Sequence, residues 1–211
     1  MGVTKDGNLK VISLLITVAI FFTSGNLKAQ KFPSAFEHID VLLSYQQNVN
    51  QNYFHDYWSP DPAFQLELDT PFYAGNFFLS GRFNSVRHKT NEVPGFDNIQ
   101  VTVGWGLRHE VVERVKIGGT VGTLFSMMAF NYVSDEQRDF AGTHFGSTSP
   151  ESEIGLVFGA DISYEFSGGW GIRVNWNRDI VYTQTKMKLN YIGIGLYRKF
   201  NTPIWLQEVL H

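Results

Sequence analysis

From residue 39 onward, apolar and polar side chains alternate one by one in eight segments, the period of strands whose two faces differ in character. One face of the first segment carries Ile39, Val41, Leu43 and Tyr45, and that of the second Phe64, Leu66 and Leu68. The third and fourth continue with Phe77, Leu79, Gly81 and Phe83, then Ile99, Val101, Val103, Trp105 and Leu107. The fifth has Ile117, Gly119, Val121, Thr123, Phe125 and Met127; the sixth runs from Ile154 through Phe158 and Ile162 to Phe166. The last two show Trp170, Ile172, Val174 and Trp176, then Ile192, Ile194 and Leu196. None of these positions is charged. The interleaved face holds charged, amide and hydroxyl residues with many glycines, and only Leu42, Phe78, Leu124 and Val157 are large and apolar there.

Alternation alone does not say which face turns inward. A soluble barrel or sandwich would bury the apolar face. Three features favour the inverse arrangement, with the apolar face in lipid. Glycines on a solvent face would weaken the strands for no gain, whereas inside a narrow barrel they make room for long neighbours. The polar face mixes Arg with Asp and Glu, as a buried ion-pair network requires. The connections near Pro71–Asn76, His109–Val115 and Ser167–Gly169 are short, whereas those after the first, third, fifth and seventh segments are long. The predicted fold is therefore all-β: an eight-stranded antiparallel up-and-down transmembrane β-barrel with short periplasmic turns and longer external loops. Eight strands close around side chains, so no open pore is expected. Tyr45, Trp105, Tyr164, Trp170 and Trp176 are placed to form aromatic girdles.

The first thirty residues read as an address. Lys5 and Lys10 precede the uncharged run from Val11 to Phe22, followed by small polar residues and Ala29. This is the layout of a secretory signal peptide, and the run is too short for a spanning helix of about 20 residues. The expected organisation is a signal peptide over 1–29, a barrel over 30–200 and a short periplasmic tail over 201–211, exported to the cell outer membrane. Composition narrows the rest. A chain of 211 residues fits one domain. A formal net charge of −3 argues against nucleic acid as a partner, and the absence of cysteine excludes disulfides and thiolate metal sites.

These features together resemble the small OmpA/OmpX-type outer-membrane barrels of Gram-negative bacteria. The Ala29-Gln30 junction and the aromatic-rich strands are also similar to exported proteins of Bacteroidetes-type bacteria. Such barrels usually end on an aromatic residue; Phe200 is the natural counterpart here, with eleven residues after it. The resemblance implies fold and compartment, not activity.

Candidate chemistry falls in four places. Inside the barrel, Asp40, Glu67, Arg82, Arg108, Lys116, Asp161, Glu165 and Arg173 are expected to form an ion network, with Asp69 and Glu110 nearby. In the first external loop Tyr53, Phe54, Tyr57 and Trp58 lie among amides, a mixture suited to a glycan or protein partner. In the tail, Trp205, Leu206, Val209 and Leu210 would share one face of a short helix capped by Thr202 and Pro203, able to meet a periplasmic partner. His88-Lys89-Thr90-Asn91 is similar to the His-x-Ser-Asn motif of outer-membrane lipid A deacylases. That likeness implies Thr90 as nucleophile, His88 as its base and Asn91 as oxyanion donor. Threonine stands where that family has serine, and no acid partner is evident downstream. No metal-ligand spacing occurs, so neither metal nor cofactor is expected. The leading expectation is a non-enzymatic barrel in contact with outer-membrane lipid and lipopolysaccharide, acting in envelope structure or loop-mediated binding. A lipid A-modifying hydrolase centred on His88 and Thr90 is one alternative, and a soluble periplasmic ligand-binding β-barrel the other.

Overall fold

The computed structural model describes residues 35–89, 93–131, 134–145, 150–183, 186–203 and 205. The elements follow in the order β1 (His38–Asn48), α1 (Phe54–Tyr57), β2 (Trp58–Pro60), β3 (Ala63–Phe72), β4 (Gly75–His88), β5 (Gly95–Val112) and β6 (Val115–Asn131). They continue with α2 (Asp135–Phe145), β7 (Glu151–Glu165), β8 (Trp170–Val181) and β9 (Met187–Asn201). Eight of the strands form one antiparallel ring. β3 to β9 each pair with their neighbours in the chain, and β1 pairs with both β3 and β9, so the sheet closes on itself. The ninth strand, β2, is a three-residue addition to β4, with Trp58 opposite His88 and Pro60 opposite Val86. Closure satisfies the backbone without an exposed edge, as a sheet in lipid must.

The direction of the two faces is clear from exposure. Leu43 is 61% exposed and Ile162 58%, while Asp161 and Arg173, on the other face, are buried. Leu66, Val103, Val121, Val174 and Ile194 are likewise exposed. An unbroken apolar outer surface around a polar interior is stable in a bilayer and not in water. This overturns the soluble ligand-binding alternative, which needs the apolar face inside. The chain is a membrane-spanning β-barrel of the kind outer membranes hold.

The turns at one end are tight. β3 and β4 join through Tyr73-Ala74, β5 and β6 through Glu113-Arg114, and β7 and β8 through a single 3-10 turn, Ser167–Gly169. Tyr73 and Arg114 take left-handed backbone conformations there (φ 51° and 68°), as do Gly168 and Gly169. Short turns mark the periplasmic end. At the outer end, 49–62 contains α1 and β2, and 132–150 contains α2. The connection 182–186 is short, although the alternation predicts a long one. The reason is that β9 begins at Met187 and not near Ile192. Its first turns carry Met187, Leu189 and Tyr191 inward, all buried, and Lys188 outward.

That detail reflects a change of sign along the strands. Within the membrane band the outside is apolar and the lumen polar. Above it, inward positions such as Val86, Phe96, Met128, Val181 and Leu189 are apolar and buried, while outward Arg87, Arg178 and Lys188 are exposed. The strands outrun the bilayer, and their outer ends pack like a water-soluble protein.

Candidate functional site

The lumen holds two arginine-centred clusters. Nearer the inner turns, Arg108 and Arg173 are set among Glu67, Asp69 and Asp161. Arg108 donates from Nε to Asp161 at 3.0 Å and from Nη1 to Asp69, and Arg173 donates from Nη1 to Glu67 at 2.7 Å. Nearer the outer end, Arg82 donates to Asp179 and Gln100, and to Gln46 at 3.0 Å, and its guanidinium lies 4.2 Å from the ring centroid of Tyr191. All these charged side chains stand at inward positions, so each faces its partners without leaving its strand. Burial of this kind demands pairing, because an isolated ion would cost several kcal/mol.

Space for these side chains comes from glycine. Gly171 lies directly across from Tyr197 in the β8–β9 register, and the phenol ring lies where a Cβ would stand. Gly118 makes the same allowance for Arg108 and Asp161. Of the predicted interior charges, Lys116 and Glu165 sit apart from both arginine clusters. With Lys199 they form a half-buried group near the inner rim, with Lys199 Nζ 2.9 Å and Lys116 Nζ 3.5 Å from Glu165. Asp40 lies beside His38 at 3.9 Å, and Glu110 is exposed and accepts the Arg114 N–H.

Above the ions lies an apolar plug. Phe54 and Trp58 stack at 5.1 Å between centroids with 20° between planes, and both meet Phe96 edge-on. Trp58 Nε1 donates to the Pro94 carbonyl at 2.8 Å. Val86, Met128, Val157, Met187 and Leu189 complete the same buried cluster. Phe54 and Trp58 thus spend their rings on closing the barrel, while Tyr53 is exposed and Tyr57 half-buried, their rings 5.2 Å apart.

Beside the plug, the first loop walls a polar recess of about 570 Å³. Gln47, Asn48, Asn52, His55, Asp56 and Lys89 line it. Its frame is tied to the barrel: Asn50 and Asn52 both donate to the Lys188 carbonyl, at 2.9 and 2.6 Å, and the Asn190 N–H donates to Asn50 at 2.7 Å. His55 Nε2 lies 2.7 Å from Asn48 Oδ1, and the Asn52 N–H donates to its Nδ1 at 3.3 Å. Nδ1 also lies 3.0 Å from Asn52 Oδ1, so Asn48 and Asn52 together hold the ring in place. Burial, then the nearby Lys89 charge, hold its pKa below the ordinary 6.5.

His88 ends β4 at an exposed position opposite Trp58, while Thr90 and Asn91 lie outside the described residues. Trp205 is exposed; Leu206, Val209 and Leu210 lie outside the described residues. Thr202, second in the tail, donates its backbone N–H to the Glu37 carbonyl at 3.1 Å. Among the described residues, no group of three or more His, Asp or Glu side chains is arranged to hold a metal ion.

Two residues that matter here escape the pattern reading. Asp179 is fully buried against Arg82, and Tyr191 stacks on the same guanidinium. Both lie on the inward parity of β8 and β9, so continuing the alternation past Trp176 and back from Ile192 would have reached them.

No family model matches the chain, and no curated protein matches it in sequence. Its backbone is similar to solved barrels. The crystal structure of Neisserial surface protein A superposes with a TM-score of 0.55 at 7% identity, covering 81% of this chain and all of that one. The N-terminal β-barrel domain of Pseudomonas aeruginosa OprF gives a TM-score of 0.52 at 9% identity, over 79% of this chain and all of that domain. At such identities the likeness is one of fold.

Proposed function

We propose that this chain is a closed, non-conducting outer-membrane barrel, without enzymatic activity, whose outer mouth binds a carbohydrate. Residues 1–29 serve as its export signal in this reading. The observation that carries it is the polar recess at the outer mouth, beside the Phe54–Trp58 cluster that packs above the ion pairs. The recess offers Gln47, Asn48, Asp56 and Lys89, donors and acceptors suited to sugar hydroxyls, and the neighbouring Tyr53–Tyr57 pair supplies an aromatic face. Its frame is preorganised by hydrogen bonds to β9, which lowers the ordering cost of binding.

The test is a glycan array probed with the purified barrel in neutral nanodiscs, followed by titration of the best binders against Asp56→Asn and Asn48→Ala. Saturable binding weakened about tenfold by either substitution supports the reading. An array without binders, or binders indifferent to both substitutions, overturns it. Fractionation with N-terminal sequencing checks the export step: the mature chain should begin at Gln30 and migrate faster unboiled than boiled.

A further inference from the structure

On the outward face, above the apolar band, one sector of the barrel differs from the rest. Arg178 on β8 stands opposite Asn190 on β9, and Lys188 stands opposite Ile180, so the two cations are diagonal cross-strand neighbours at about 7–8 Å. Lys186 continues the ladder, its Nζ 5.8 Å from the centroid of the Tyr182 ring. All three are exposed, and among the described residues the outward positions of β7, β8, β9 and β1 carry no acid. On the far side of the barrel the counterparts are neutralised or acidic: Arg87 pairs with Asp61 at 2.8 Å, and Asp97 faces outward on β5. A cationic stripe on a chain of net charge −3 is a local feature, not a reflection of composition.

The same sector has a second feature lower down. An apolar groove of about 400 Å³ runs over β1, β3, β8 and β9, lined by Leu43, Tyr45, Phe64, Ile172, Ile194 and Leu196. Lys188 and Ile194 lie six residues apart on β9, about 20 Å along a strand. The strand tilt of about 35–45° turns that into roughly 15 Å of depth, close to one leaflet. Charge above and groove below are thus spaced as the head and chain of one lipid.

We infer that β8 and β9 form a binding site for a phosphorylated lipid of the outer leaflet, with its phosphates on Arg178, Lys186 and Lys188 and an acyl chain in the groove. The planar guanidinium of Arg178 accommodates a phosphate through two parallel hydrogen bonds, and the lysines add point charge. Arg178 and Lys188 stand on the strands just above Trp176 and Ile192, and Lys186 on the short connection between them.

The experiment uses the full barrel in phosphatidylcholine nanodiscs doped with bisphosphoryl lipid A, with retained lipids counted by native mass spectrometry. The wild type should hold lipid A, R178Q/K188Q should bind it at least tenfold more weakly, and R87Q should match the wild type. Ile194→Trp, which fills the groove and leaves the charges intact, should weaken binding severalfold. Lipid A stripped of phosphate should bind as poorly to the wild type as intact lipid A binds to R178Q/K188Q. Excess inorganic pyrophosphate should not displace the lipid. Equal retention by R178Q/K188Q, equal binding of the dephosphorylated lipid, or displacement by pyrophosphate each overturns the proposal. So does a wild-type dimer that forms through this face without lipid A. The variants' unboiled migration confirms that each has folded.

Discussion

Gln65 donates its side-chain amide to Glu67 at 3.0 Å while accepting one from Gln46 at 2.8 Å. Through that relay hydrogen bonds run from Arg82 to Arg173, and the ion pair of Arg108 with Glu67 at 3.8 Å joins the rest of the inner cluster to it. Neutral amides between the charged clusters separate the guanidinium groups while each glutamine of the relay keeps a hydrogen-bond partner on either side.

The network predicts an asymmetry between breaking and replacing a pair. Arg82→Met leaves Asp179 buried without its cation and should cost about 3–5 kcal/mol. Adding Asp179→Leu should recover most of that loss, because two apolar groups need no partner. Urea unfolding in neutral vesicles, run on both single variants and the double, measures the cycle. A double variant no better than Arg82→Met would show that the pair is not the unit.

Gly171 and Tyr197 form a fitted pair across β8 and β9. Gly171→Val should force the ring out and cost about 1–3 kcal/mol, the usual penalty of overpacking. Tyr197→Ala should make the same glycine substitution nearly free, giving a coupling energy a double-mutant cycle can resolve. Additive effects would mean that the ring does not occupy the glycine's space.

Leu66 and Val103 are exposed in the apolar band. Leu66→Arg or Val103→Arg should each cost about 2–4 kcal/mol if the site is near the midplane, and less near its edges. Equilibrium folding into vesicles gives the number. Stability unchanged by either substitution would place that face in water.

His55 makes the first loop sensitive to pH. Its folded pKa lies below 6.5, so between that value and 6.5 the unfolded loop binds more protons than the folded one. The stability it contributes is complete above 6.5 and falls as pH drops toward the folded value. Hydrogen exchange at Asn52, Phe54 and Tyr57 should therefore speed up, beyond its intrinsic pH dependence, on acidification through that window. His55→Asn should abolish the excess.

Period two gave direct access to the barrel, because one face of every spanning segment had to be apolar and no residue in it could be charged. Leu42, Phe78, Leu124 and Val157, which broke the polar face, are all buried inside. The rule failed where the solvent changed. Above the membrane the same parity carries the opposite polarity, so Met187, Leu189 and Tyr191 read as loop and Asp179 was passed over. The aromatic loop residues were visible as a group. Their division into plug and surface was not, since Phe54 and Trp58 are placed by Phe96 on β5 and by Pro94 just before it, some forty residues away.

The plug draws on both ends of the ring: Phe54 and Trp58 follow β1, whereas Met187, Leu189 and Tyr191 open β9. Those two strands form the one junction between the first and last barrel segments of the chain. The apolar cluster can therefore be complete only once that seam has zipped shut. It acts as a latch that only the closed cylinder can engage.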